Sequence, residues 1–172
     1  QYTIGAVSNE LPDCGMVDNP DLDSYAAMGV FADITDFFNT WNEAKFLEGP
    51  LNSCKYEGKI YGLPWGNNCI GLFYNKTLLK KAGVSVPETW SELESACAKL
   101  TSGNVKALAI SAINNEEGTF QYMPWLISGG GSVIQLDSPE SNKSLTFLKN
   151  LIDKGYISKE CINWTQADVE KQ

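Results

Sequence analysis

The chain is 172 residues long, enough for one compact domain or two small ones, and its 43% apolar content with 20% charged residues describes a folded globular protein and not a disordered one. Lysine and arginine total 13 against 21 acids, a net charge of −8, so nucleic acid and anionic lipid surfaces are disfavoured as partners. There is no histidine, which removes the usual catalytic triad, the commonest general base and most zinc sites. Any catalysis would rest on carboxylate, lysine, tyrosine or cysteine.

The five cysteines, Cys14, Cys54, Cys69, Cys97 and Cys161, are odd in number and none pair in CxxC spacing. Cys14, Cys69 and Cys97 lie in apolar settings and read as small buried hydrophobes, while one bridge involving Cys54 stays open. No apolar run approaches the length of a membrane-spanning helix, and the first residues are too polar for a targeting segment.

In chain order, Cys14–Val17 reads as a short buried strand. Asn19 is placed to cap a helix with Pro20 at its first position, running to about Met28 and stopped by Gly29. A shorter helical or turn pattern covers Phe31 to Phe38, and loop surrounds Glu48-Gly49-Pro50. Lys59–Leu63 reads as a strand, broken by Trp65-Gly-Asn-Asn68. Cys69–Tyr74, almost wholly apolar, predicts a strand covered on both faces.

Lys76–Ala82 predicts a short helix ended by Gly83. Thr89-Trp-Ser-Glu92 is a capping box opening a helix whose Leu93, Ala96, Cys97 and Leu100 share one face. Val105–Ala112 predicts an apolar strand, Asn114–Gly118 a polar turn, and Phe120–Ser128 a helix started or bent by Pro124. Leu145, Leu148, Leu151 and Ile152 stripe a further helix ending near Gly155, and one more begins at Thr165. Alternating helices and strands make the class α/β. About four strands are credible, few for a complete sheet.

The phrases LPDCGMVDNPD, YAAMGVFADIT, YEGKIYGLPW, GLFYNKTLLKKAGV, PETWSEL, PWLISGGG and NWTQADVEKQ, in that order and spacing, resemble the extracellular solute-binding proteins of sugar-importing ABC transporters, the maltose-binding-like group. The resemblance covers nearly the whole chain but only the middle of such a protein, so the chain looks like an internal fragment. It implies a periplasmic-binding-protein-like two-lobe α/β architecture with a hinge, here incomplete. Residues 1–68 would be part of the first lobe, 69–75 the hinge crossing strand and 76–172 part of the second lobe. The implied activity is capture of a sugar, expected to be an oligosaccharide, in a cleft between lobes, with delivery to a membrane permease. The implied setting is extracellular or periplasmic, with a lipid anchor through a missing N-terminal region as one option. A monomer without cofactor, metal or catalytic residues is expected.

A sugar site needs carboxylates and amides for hydroxyl pairs and flat rings for the C–H face. Three groups offer them. Asp18, Asn19 and Asp21 follow a predicted strand end, and the resemblance puts them in the first-lobe ligand loop. Trp65, Asn67 and Asn68 form a loop where the family often has a polar contact before the crossing. Glu117, Thr119 and Phe120, with Glu116 and Gln121 nearby, fall on the second-lobe side. The plainer readings are helix capping for Asn19, a core tryptophan with turn asparagines, and solvated charge for the glutamates. Tyr74, Trp90, Trp125 and Trp164 read as core. The alternatives are a carbohydrate-active enzyme with paired carboxylates, a sensor or adhesin lobe, and a binding protein for a non-sugar solute.

Overall fold

The computed structural model describes residues 2–41 and 45–172, and the chain separates into two compact units, Gln1–Cys69 and Ile70–Gln172. No helix among the described residues is long and apolar enough to cross a membrane.

In the first unit, α1 (Tyr2–Ser8) buries no residue. It is tied down by Tyr2, whose ring meets Tyr25 and Phe31 edge-on at centroid distances of 5.7 and 6.4 Å. A 310 turn, Asn19–Asp21, leads into α2 (Leu22–Ala27), which buries Leu22 and Ala26. Helices α3 (Thr35–Thr40) and α4 (Glu48–Asn52) follow, then a hairpin of β1 (Lys55–Tyr56) and β2 (Lys59–Ile60) in antiparallel register, Lys55 opposite Ile60. Both turn residues, Glu57 and Gly58, have positive φ (49° and 79°), which is what a two-residue turn needs to match the strand twist.

One polar knot fastens α3 to this hairpin. The Asp33 carboxylate accepts from the Thr35 hydroxyl at 2.5 Å and the Thr35 amide at 3.0 Å, and pairs with Lys59 at 3.0 Å. The Thr35 hydroxyl in turn accepts from the Ile60 amide at 2.9 Å, and the Ile34 amide donates to the Ile60 carbonyl at 2.8 Å. These bonds hold the Asp33 carboxyl down at about 2, the Thr35 hydroxyl contributing most, then the Thr35 amide and Lys59.

The second unit is helical, with a denser core. Its helices are α5 (Lys76–Lys81), α6 (Trp90–Leu100), α7 (Glu116–Ser128), α8 (Pro139–Asp153) and α9 (Gln166–Glu170), with a 310 turn at Lys159–Asn163. The starts of these helices follow capping rules. Asn75, Thr89, Asn115, Ser138 and Thr165 each accept from backbone amides of the first turn, and Thr89–Glu92 and Thr165–Asp168 close reciprocal capping boxes. The core joins Ile110, Leu148, Leu151, Ile157 and Cys161, with Tyr122, Trp125, Phe147 and Trp164 against it. Trp90 stacks on Phe147 at 4.7 Å, so Trp90, Trp125 and Trp164 serve packing as the sequence implied, whereas Tyr74 is exposed.

Helices α7 and α8 approach closely because small residues line their contact. Ser141 and Ser144 are fully buried on α8, and Ser144 bonds the Tyr122 hydroxyl of α7 at 2.7 Å. At the end of α7, a Cβ on Gly131 would sit 2.5 Å from Leu126 and 3.0 Å from the Ser141 backbone. A Cβ on Gly129 would sit 2.8 Å from the Trp90 ring. The triple glycine is therefore a packing device as well as a helix stop.

The strands differ most from the sequence reading. Cys14–Val17 is irregular and largely exposed, with the Met16 carbonyl accepting from the Tyr2 hydroxyl at 3.2 Å; four apolar residues without a neighbouring strand have no ladder to join. The Lys59–Leu63 strand shortens to Lys59–Ile60, and Cys69–Tyr74 is irregular and pairs with no strand among the described residues. Val105–Ala112 is reduced to bridges, Leu108 pairing in parallel with Ile157. Helix α7 starts at Glu116, not Phe120, because Asn115 caps it, and Pro124 lies inside it. All five cysteines are free thiols. Cys54, Cys97 and Cys161 are buried, while Cys14 and Cys69 are exposed, contrary to their apolar settings in the sequence. Burial pushes the Cys97 thiol up to about 11, which suits packing and not nucleophilic work.

Two outcomes are expected. The Asp33 carboxyl titrates lower in the folded chain than its ordinary 3.8, so its contribution is present above that value and is lost as pH falls toward about 2. The melting-temperature gap between the native chain and Asp33→Asn should therefore close as pH is lowered from about 5 to about 2. A gap that stays constant would contradict the knot's role. In the second unit, Gly131→Ala should cost about 1–3 kcal/mol in chemical denaturation, from overpacking against α8. Gly49→Ala, with open space around its Cβ, serves as the control.

Candidate functional site

The first two candidate groups lie in the first unit. Asp18 stands at the start of the 310 turn, Asn19 and Asp21 lie within it, and all three side chains are exposed. Asn19 is not a cap: Asp18 occupies the capping position, without a side-chain bond, and its carbonyl accepts from the Asp21 amide at 3.1 Å. None of the three side chains makes a hydrogen bond among the described residues. Pro20, early in this turn, fixes the backbone without needing an amide partner.

Trp65, Asn67 and Asn68 occupy irregular backbone beyond β2. Trp65 is 88% exposed, which excludes the core-tryptophan reading. Neither asparagine side chain is engaged in a hydrogen bond among the described residues, so the turn-former reading has no support there. The stretch before the loop packs on α2. A Cβ on Gly62 would lie 3.3 Å from Leu22, the residue directly after Asp21. An exposed ring, two amides and two carboxylates thus belong to one unit, and these polar side chains make no hydrogen bond among the described residues. Such a set can cover a sugar face and pair with hydroxyls.

The third group opens α7 in the second unit. Asn115 caps the helix, accepting from the Glu117 amide at 2.9 Å. The Thr119 hydroxyl bonds back to the Asn115 carbonyl at 3.3 Å, and Phe120 is partly exposed. Gly118 is forced by the tight entry, since a Cβ there would fall 2.0 Å from the Ile113 carbonyl oxygen. Glu117 is half-buried and its carboxylate accepts from the Gln166 amide at 2.7 Å, tying the start of α7 to the first turn of α9. That bond satisfies one of the exposed donors at the α9 N-terminus and favours a negative partner there. The sequence offered Glu117 as a ligand contact and gave no sign of this tie, because its partner lies 49 residues away.

Acid–base chemistry finds little here. Glu116 is exposed, and its neighbour Glu117 is engaged with backbone. Among the described residues, no group of three or more acidic or cysteine side chains is gathered for a metal.

Proteins similar to this chain in sequence or fold include sugar-binding proteins. The chain is 30% identical over 129 residues to the arabinooligosaccharide-binding protein of Bacillus subtilis, covering 71% of this chain and 29% of that protein. Among solved structures, maltose-bound MalE3 of T. maritima aligns with a TM-score of 0.81 at 25% identity, over 99% of this chain and 46% of that one. A sugar transporter protein of Arthrobacter chlorophenolicus A6, solved with laminaribiose, aligns with a TM-score of 0.77 at 20% identity, again over 99% and 46%. The chain therefore spans less than half the length of these relatives, and it has the α/β architecture of the two-lobe sugar-binding proteins over that span. The model of the bacterial extracellular solute-binding proteins matches residues 5–172, and the chain belongs to that family.

Proposed function

We propose that this chain contributes the ligand-contacting groups of an extracellular or periplasmic sugar-binding protein that hands an oligosaccharide to an ABC-transporter permease. The observation that carries this reading is Trp65, a large ring 88% exposed beside two unengaged asparagines. Leaving so much apolar ring in water is costly unless something covers it, and the C–H face of a pyranose fits a ring flanked by hydrogen-bonding amides. The relatives point the same way, being named for arabino-oligosaccharide, maltose and laminaribiose.

Asp18, Asn19 and Asp21 accept from or donate to sugar hydroxyls. Trp65 covers a ring face, and Asn67 and Asn68 bond its edges. Thr119 and Phe120 supply a polar and an apolar contact from the second unit. Glu117 acts one step back, holding the α7 entry through Gln166. Residues 1–68 and 76–172 would belong to the two lobes, with 69–75 crossing between them. Coupling to transport requires that ligand favour one arrangement of the lobes over another. No covalent step is involved.

Calorimetric titration of the full gene product with maltotriose, laminaribiose and arabinotriose tests this. At least one should bind, and Trp65→Ala should weaken that binding by roughly 10- to 100-fold, the effect of truncating a central aromatic contact. Glu117→Gln should leave affinity unchanged while lowering the melting temperature by a few degrees, the cost of weakening about one charge-assisted hydrogen bond. Unchanged binding in Trp65→Ala would sink the assignment of the platform. Lost affinity in a folded Glu117→Gln would make Glu117 a direct ligand.

A further inference from the structure

All three candidate groups fall in stretches of the chain that carry no positive charge. Residues 1–44 include Asp18, Asn19 and Asp21, and they hold 8 acids and no lysine or arginine. Residues 60–75, with Trp65, Asn67 and Asn68, hold no charged side chain at all. Residues 107–142, with Glu117, Thr119 and Phe120, hold 4 acids and again no lysine or arginine. These stretches make up more than half of the chain, yet all 13 lysines lie outside them, and the chain has no arginine.

The charge is also divided unevenly between the two units. Gln1–Cys69 holds 10 acids against 3 lysines, whereas Ile70–Gln172 holds 11 against 10. Of the lysines in the first unit, Lys59 is paired with Asp33 at 3.0 Å and Lys55 donates to the Asn52 side chain at 2.8 Å. Lys45 adjoins Phe46, whose ring packs with Phe38 and Trp41 at the end of α3. Asp18 and Asp21 stand at N-terminal capping positions, where a carboxylate commonly turns inward to accept from backbone amides, and neither does so. Both are exposed, so their charge faces solvent.

A carboxylate, sulfate or phosphate on a ligand is normally held by arginine or lysine, and taking it out of water without such a partner is costly. Near Asp18 and Asp21 it also meets like charge. A hydroxyl meets neither penalty, because a carboxylate accepts from it directly. An ammonium gains twice, from charge-assisted bonds to carboxylate and from attraction to the face of an indole such as Trp65. We infer that the sugar site selects by charge, admitting neutral and amine-bearing oligosaccharides and rejecting those that carry carboxylate, sulfate or phosphate groups. This selectivity rests on the reading of these residues as a sugar site and adds to it the chemical class of sugar that is taken.

Calorimetric titration of the full gene product at low salt tests the inference. The probes are maltotriose, laminaribiose and arabinotriose, each unmodified, with its primary alcohols replaced by amines, with them oxidised to carboxylates, and with those carboxylates converted to neutral methyl esters. For whichever sugar binds, the amine form should bind at least as tightly as the unmodified one. Its carboxylate form should bind at least roughly 10-fold more weakly than the ester, the scale of one unfavourable like-charge contact. Asp18→Asn combined with Asp21→Asn should narrow that gap. A carboxylate form that binds as well as its ester, or a gap unchanged in the folded double variant, would overturn the inference and leave the sugar reading standing. An amine form weaker than the unmodified sugar would overturn it in the same way. Absence of binding by every form of every probe would remove the sugar reading itself, and the inference with it.

Discussion

The second unit depends on how closely α7 can approach α8. Ser141 and Ser144 present no bulk on the α8 face, and Gly131 admits the α8 backbone where any Cβ would collide. With that spacing set, Tyr122 reaches the Ser144 hydroxyl, Leu126 is sealed, and Trp90, Trp125 and Phe147 form one aromatic group. The direction of α7 follows, and with it the place of Thr119 and Phe120 at its opening turns. A tight interior has low tolerance for added volume, so the opening turns of α7 are positioned by packing several residues away.

The first unit is built on different terms. Its two-stranded hairpin is too small to stand by itself, and it is held by the Asp33–Thr35–Lys59 knot and by the packing of α2. It exposes the side chains of Asp18, Asp21, Asn67 and Asn68, which make no hydrogen bond among the described residues, together with the bare ring of Trp65. Free hydrogen-bonding groups around an exposed aromatic ring are the opposite of what packing favours.

The helix starts were legible because capping is local. Thr89 with Glu92 needs only four consecutive residues, and the α6 stripe of Ala96 and Cys97 is buried as its spacing implies. The strands were less legible because a ladder is a property of two segments. Cys69–Tyr74 has strand composition, yet it is irregular and pairs with nothing described. Cys14 and Cys69 show the same limit, since apolar neighbours in sequence did not bury them. At the site, the family resemblance and the residue types singled out stretches whose side chains are exposed in the structure, Asp18, Trp65 and Asn68 among them. Sequence spacing, however, could not show that the Glu117 carboxylate is taken up by the Gln166 amide, 49 residues on.

The most direct test of this account is a crystal structure of the full gene product with an oligosaccharide bound. The account predicts a pyranose face lying on the Trp65 indole, at about van der Waals distance, with hydroxyls paired to Asn67 or Asn68 and to Asp18 or Asp21. A sugar bound elsewhere, with Trp65 still in solvent and these side chains untouched, would contradict it.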